Sequence, residues 1–172
     1  MKVVHITFSN QGGAGIAAYR LHLAMLNQGI DSHLLTLKMV KKGIRVTKFN
    51  DSVIKRAIRA SRSRINFYIR QSRLLDENNL NKISFSFIKT DYAVHNHILV
   101  KKADIINLHF VAGFVDLETF FKRVKKPIVW TLHDMNPFLG GFHYDGDVYD
   151  ASNKLVKLDQ QLLAEKRKIY NN

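Results

Sequence analysis

The stretch Lys2–Arg20, "KVVHITFSNQGGAGIAAYR", decides the fold. Lys2–Phe8 is short, apolar and rich in β-branched residues, which is the pattern of a buried strand. Ala14–Asn27 then follows a helical repeat, with Ala17, Leu21, Ala24 and Met25 on one face and Gly29 as its stop. Between them lies "SNQGG". Glycines that carry a strand into a helix let backbone come close to a phosphate. Three readings are open for this loop: a dinucleotide fingerprint, a cradle for a sugar nucleotide, or a tight turn.

Working outward, the same alternation recurs. Ser32–Leu37, "SHLLTL", reads as a second strand. Lys38–Asn50 is basic and irregular, with a short strand near Val46. Asp51 or Ser52 can cap a helix to about Arg73, and Asp76–Asn81 is a polar break. Ile83–Ile88, "ISFSFI", alternates and fits a short strand or an ordered loop. His97–Lys102 fits a helical turn or two. Asp104–Phe110 and Pro127–Leu132 are further apolar strands, with Asp116–Arg123 a helix between them. His133–Gly146 is a loop rich in glycine and aromatics, and Leu158–Tyr170 is a final helix. Strands alternating with helices predict an α/β fold, a Rossmann-like open parallel sheet with helices on both faces. One domain over 1–172 is the simplest organisation.

The composition narrows the function classes. With 172 residues and 46% hydrophobic content the chain can bury a real core. It has no cysteine, which removes disulfides and thiolate chemistry. The first apolar run is too short for a signal peptide, and no run approaches the ~18 residues of a membrane span. A cytoplasmic location is expected. The net charge of +13 implies attraction to phosphate in some form. It is unevenly spread: twelve Lys or Arg but one acid, Asp51, lie between Lys38 and Arg73.

Gly13-x-Gly15-x-x-Ala18 matches the dinucleotide fingerprint formally. Two features weaken that reading. Four residues, Ser9 to Gly12, separate Phe8 from Gly13, where the fingerprint turns directly. After the second strand comes Lys38, where an acid should meet the ribose; a lysine suits a 2′-phosphate, so an NADP-dependent reductase remains an alternative. No Gly-Lys-Ser/Thr follows, which excludes a Walker loop. What remains is a glycine loop at a helix N-terminus, where free N–H groups and the helix dipole favour an anion. The alternative is that the glycines only pack helix against strand.

In an open parallel sheet, ligands bind outside the carboxyl ends of the strands. Two other strands end there in polar groups: Asn107-Leu108-His109-Phe110, and Trp130-Thr131-Leu132-His133-Asp134. A neutral histidine at such a position can donate to and accept from sugar hydroxyls, or act as a base. Structural histidines that fasten loops are the competing explanation. His109, His133, Asp134 and His143 match no recognised metal-ligand spacing.

Taken together, "MKVVHITFSNQGGAGIAAYRLHLAMLNQGIDSHLL", "HILVKKADIINLHFVAGFVDLETF" and "KKPIVWTLHDMNPFLGGFHY" resemble the N-terminal domain of retaining GT-B-fold glycosyltransferases of the large group 1 family. The likeness is strongest to a bacterial subgroup with a Trp-Thr-Leu-His-Asp-Met segment. It spans roughly Met1–Tyr144. The resemblance implies one half of a two-domain enzyme that moves a sugar from a nucleotide-diphosphate sugar to a glycan or lipid-linked acceptor, in cell-envelope polysaccharide synthesis. It implies Gly12 and Gly13 near the donor diphosphate and His133 as the catalytic-site histidine at the donor sugar. His109 and Asn107 would line the cleft, and Asp134 would support the loop beside it. The co-substrate is the nucleotide sugar, with no metal expected, and the partner is the chain's own C-terminal domain. The family's E-x7-E glutamate pair is not met by Glu77, Glu118 or Glu165. The cysteines common after Gly-Gly-x-His-Tyr are missing from "DGDVYDASNK". Transfer by this domain alone is therefore not expected.

Asp51–Arg73 mixes Ile54, Ile58, Ile65 and Ile69 with many cations. Its functional reading is a peripheral contact with an anionic membrane beside a lipid-linked acceptor. Its plain reading is an amphipathic helix packed on the sheet. Phe67 and Tyr68 alone do not make the interleaved aromatic surface that nucleic acid wants, so no nucleic-acid partner is expected. A non-catalytic basic anion-binding or nucleic-acid-binding module is the alternative of a different class.

Overall fold

A computed structural model of the chain describes residues 1–50 and 83–171. Among these residues five strands form one sheet: β1 (Lys2–Ser9), β2 (Asp31–Lys38), β3 (Val46–Lys48), β4 (Ile105–Leu108) and β5 (Ile128–Trp130). The order is β3-β2-β1-β4-β5 and every pairing is parallel. The fold is therefore α/β with a Rossmann-like open sheet. The order reverses direction at β1, which makes the carboxyl ends of β1 and β4 the switch point at which an open α/β sheet forms its ligand crevice.

α1 (Gly12–Asn27) covers β1 and β2 on one face, and α3 (Leu117–Arg123) packs against α4 (Asn153–Tyr170). α2 (Ile98–Lys102) leads into β4. Alternate residues of the central strands serve the two faces. Val4, Ile6, Ile106 and Leu108 point into the main core with Phe114, Phe120 and Leu162. His5, Thr7 and Asn107 take the other parity, and His5 reaches the α1 residue His22. Burying an apolar side chain of this size stabilises the fold by about 1.5–3 kcal/mol, so the Val4–Ile6–Ile106–Leu108 layer anchors the sheet.

Element boundaries depart from the expectations at polar ends. α1 begins at Gly12, two residues before the expected Ala14. Gly12 has φ +74°, a backbone conformation that suits glycine. α4 begins at Asn153, five residues before the expected Leu158, because the Ser152 hydroxyl caps Leu155 N. Asp116 caps α3 through Thr119 N, and His97 caps α2 through Leu99 N. Ile83–Ile88 forms no ladder beyond one antiparallel bridge, Phe85 to Phe142. The strand expected to run to Phe110 ends at Leu108, yet His109 N still donates to Ile6 O and Phe8 N to Phe110 O. The basic helix expected from Asp51 to Arg73, with its membrane contact, and the break at Asp76–Asn81 lie outside the described residues. No described helix is long and apolar enough to cross a membrane.

Candidate functional site

The carboxyl edge brings three loops to the crevice: Ser9–Gly13 after β1, His109–Gly113 after β4, and Thr131–Gly146 after β5. The first is organised by its own polar groups. Ser9 Oγ accepts from Gln11 N, while Asn10 Oδ1 accepts from Val40 N and its amide donates to Lys41 O. The loop is thereby tied to the segment after β2.

The glycines divide into two kinds. A Cβ on Gly15 would strike the Ser9 carbonyl and lie 2.9 Å from Asn10 C, so Gly15 lets α1 meet the loop backbone. Gly13 has neither a positive φ nor any neighbour a Cβ would meet. Its helix start has no side-chain cap from Gln11 and no acid in the first turn. Gly12 and Gly13 are exposed. This end can receive an oxyanion on its free N–H groups. Lys38, the last residue of β2, holds its ammonium 5.0 Å from the centre of the Phe8 ring.

Across β1, β4 and β5 three histidines join in a row. His5 Nδ1 lies 3.1 Å from His109 Nε2, and His109 Nδ1 lies 3.0 Å from His133 Nε2. His109 and His133 also stack, with centroids 5.3 Å apart. Trp130 Nε1 donates to His109 O and fixes that loop. His5 is fully buried, His109 is 2% exposed and His133 is half-buried at the outer end. Burial lowers His5 to about 3, helped by the neighbouring His109 and His22, and lowers His109 to about 4, helped by His133. His133 is lowered by burial but raised in turn by Asp134. At neutral pH the two inner rings are therefore uncharged, and His133 is the ring best placed to take a proton. His5 Nε2 is buried without a hydrogen-bond partner.

Asn107 is also buried, on the parity of His5, and its Oδ1 accepts from Thr131 Oγ1 at 3.0 Å. Asp134 points away from His133. Its Oδ2 accepts from His143 Nδ1 at 2.6 Å and its Oδ1 from Asn136 N. His143 Nε2 in turn lies 2.8 Å from Ser86 Oγ. The order hydroxyl, imidazole, carboxylate is that of an activated serine. Here, though, the Ser86 amide is spent on Gly141 O and cannot serve a developing oxyanion. The row Ser86–His143–Asp134 ties the loop after β5 to the 83–88 segment.

α4 completes that support with two buried charges. Asp159 Oδ1 accepts from Gly141 N and Phe142 N at 2.6 and 3.1 Å. Lys166 Nζ donates to Asn136 O and Leu139 O at 2.5 and 2.8 Å. Burial brings Lys166 down to about 8, against the raising pull of Asp159 and Asp134. A Cβ on Gly140 would collide with the Asp159 backbone.

Of the residues read from sequence, the structure joins His109 to His133 and sets Asn107 on β4, two residues before His109 and bonded to Thr131. It turns Asp134 toward loop support, and it keeps Gly12 and Gly13 exposed on the β1 side of the same edge. His5, Ser86, Asp159 and Lys166 escaped the reading. A lone histidine inside "VVHITF" was the one available signal for His5. Among the described residues no group of three His, Asp or Glu could hold a metal ion, and His109–His133 and Asp134–His143 are separate pairs. No family model, no curated protein and no solved structure matches this chain.

Proposed function

We propose that the chain is the acceptor-side domain of a retaining glycosyltransferase that uses a nucleotide-diphosphate sugar, in the service of cell-envelope polysaccharide. The observation that carries the reading is the crevice edge itself. His133, supported by His109, stands after β5 at the carboxyl end of the sheet, and two strands away at the same edge the uncapped start of α1 leaves Gly12 and Gly13 open. Backbone N–H groups at Gly12 and Gly13 would share the negative charge of the departing diphosphate. His133 would hydrogen-bond the donor sugar near the reacting carbon. Asn107 and His109 would shape the floor, and Asp134 would hold the loop through His143. A second domain would supply the remaining contacts to the nucleotide and close over the site. Acceptor binding beside Asp51–Arg73, peripheral to an anionic membrane, belongs to the same reading.

The test is a titration of the 15N-labelled chain with UDP, GDP, NADPH and a short single-stranded DNA. The expected outcome is a response to a nucleoside diphosphate at Gly12, Gly13 and His133, lost in His133→Ala with the amide spectrum otherwise retained. A response to NADPH alone would put a reductase in its place. Salt-sensitive DNA binding without any diphosphate response would favour a basic nucleic-acid module.

A further inference from the structure

We infer that His5, His109 and His133 act as one tautomeric relay, in which the two buried rings set and follow the proton position on the ligand-facing nitrogen of His133. This rests on the reading above only in taking His133 Nδ1 to face the ligand. The geometry of the row carries the rest.

Each neutral imidazole has one N–H and one lone pair, and each of the two ring-to-ring bonds needs one of each. Only two neutral arrangements satisfy both bonds. In one, all three rings carry the proton on Nδ1: His5 donates to His109, His109 donates to His133, and His133 offers an Nδ1–H to the crevice. In the other, all three carry it on Nε2: His133 donates inward to His109, His109 to His5, and His133 offers an Nδ1 lone pair instead. Any mixed set places two protons, or two lone pairs, face to face at 3.0–3.1 Å.

The inner end has no competing partner. The nearest ring, His22, is spoken for: its Nε2 donates to Ile44 O at 2.8 Å, so its Nδ1 accepts from the Ser32 hydroxyl at 2.7 Å. His5 Nε2 is left with nothing in either arrangement. The buried end therefore does not pin the row by a hydrogen bond, and the outer end can switch it. A phosphate or sugar oxygen that accepts from His133 selects the Nδ1–H set. A hydroxyl that donates to His133 selects the Nε2–H set. Neither choice places a charge in the sheet.

Protonation gives the sharpest consequence. The groups bearing on the row are His109 and the charge of Asp134 at His133, His133 and His5 at His109, and His109 and His22 at His5; the Asp134 carboxylate itself bonds His143. When His133 takes a proton it carries N–H on both nitrogens, so it must donate to His109 Nδ1. His109 then donates from Nε2 to His5, and both inner rings are locked as neutral Nε2–H forms. His5 and His109 are positioning residues in this scheme, acting on the ligand through His133.

The experiment is long-range 1H–15N correlation of the histidine rings in the complete 1–172 chain, without ligand. At pH 8 the three rings are expected to report the same tautomer, or the same mixture of the two. On acidification through the titration of His133, His109 and His5 should both become Nε2–H while remaining neutral. His109→Phe should release His5 and His133 from each other, so that their tautomers no longer change together. Should that variant fail to fold, the wild-type titration alone decides. Different tautomers on the three wild-type rings, or inner rings that ignore the His133 titration, would overturn the relay. Those outcomes would leave diphosphate binding untouched. Absence of diphosphate binding with an intact relay would instead remove the glycosyltransferase reading.

Discussion

Acidification should destabilise this protein well above the pH at which its carboxylates titrate. His5 and His109 are 0% and 2% exposed and are held at about 3 and about 4, below the ordinary 6.5. The sign follows from proton counting. Between those values the unfolded chain binds protons that the folded chain refuses, so stability is full above pH 6.5 and falls as the pH drops. At pH 5 an unfolded histidine is almost wholly protonated, and each of the two contributes a loss of about 2 kcal/mol relative to pH 7.5. Together they remove about 4 kcal/mol of a total that for a domain is about 5–15 kcal/mol. With a urea slope of about 2 kcal/mol/M, the midpoint should fall by about 2 M over that interval. The limiting slope is about 2.7 kcal/mol per pH unit for two protons and about half that for one. Urea unfolding of the wild type and of His5→Gln at pH 7.5, 6 and 5, followed by tryptophan fluorescence, measures both. A midpoint that stays flat from pH 7.5 to 5 would refute the reasoning. So would a slope unchanged in His5→Gln, since that variant removes one titrating ring.

The glycines should separate by position. Gly15→Ala is expected to cost about 2 kcal/mol or more, because its Cβ meets the Ser9 and Asn10 backbone; Gly13→Ala should be neutral or gain up to about 1 kcal/mol from helix propensity. Thermal melts compare the two. Lys166→Met leaves the carbonyls of Asn136 and Leu139 without their donor and should cost about 2–3 kcal/mol, with faster amide exchange across residues 136–143 than in the sheet. Ser86→Ala should cost about 1 kcal/mol from its lost bond to His143. A fluorophosphonate should not label wild-type Ser86, as befits a strut rather than a nucleophile.

The sheet was readable because its signals are local. Apolar runs, the Gly29 stop and the Asp116 cap each act within a few residues, and those elements stand where the pattern puts them. Ser152 is equally local, but the polar, acid-flanked run before Leu158 masked it as a helix start. The candidate site was readable only at its rim. His109 and His133 stand out because they follow strands, and topology brings strand ends together. His5 stands 104 residues from His109 in sequence, and its parity toward α1 becomes visible only once the register with Asn107 is known. Asp159 and Lys166 look like the polar side of an ordinary surface helix. They are buried because the loop after β5 folds back over them, a long-range event with no periodic trace.

Net charge does not locate the ligand, and the topology explains why. In a parallel sheet the residues just before each strand share one edge and those just after share the other. Lys101 and Lys102 precede β4 and Lys125 precedes β5, all exposed, while Lys41 and Lys42 follow β2 on the opposite edge. Cations therefore flank both ends of the sheet. Their shared field can draw any polyanion toward the molecule and is screened over about 10 Å at 0.1 M salt. Choosing among anions needs groups fixed to within a hydrogen bond. At the carboxyl edge the backbone of Gly12 and Gly13 and the ring of His133 would be such groups on the proposed function, because Gly15 seats the helix and His109 holds the imidazole. The amino edge offers exposed lysines on flexible stems instead. On the proposed function, a small phosphate-bearing ligand would be matched to the carboxyl edge by direction and proton position, and the basic surface would set only how fast it arrives.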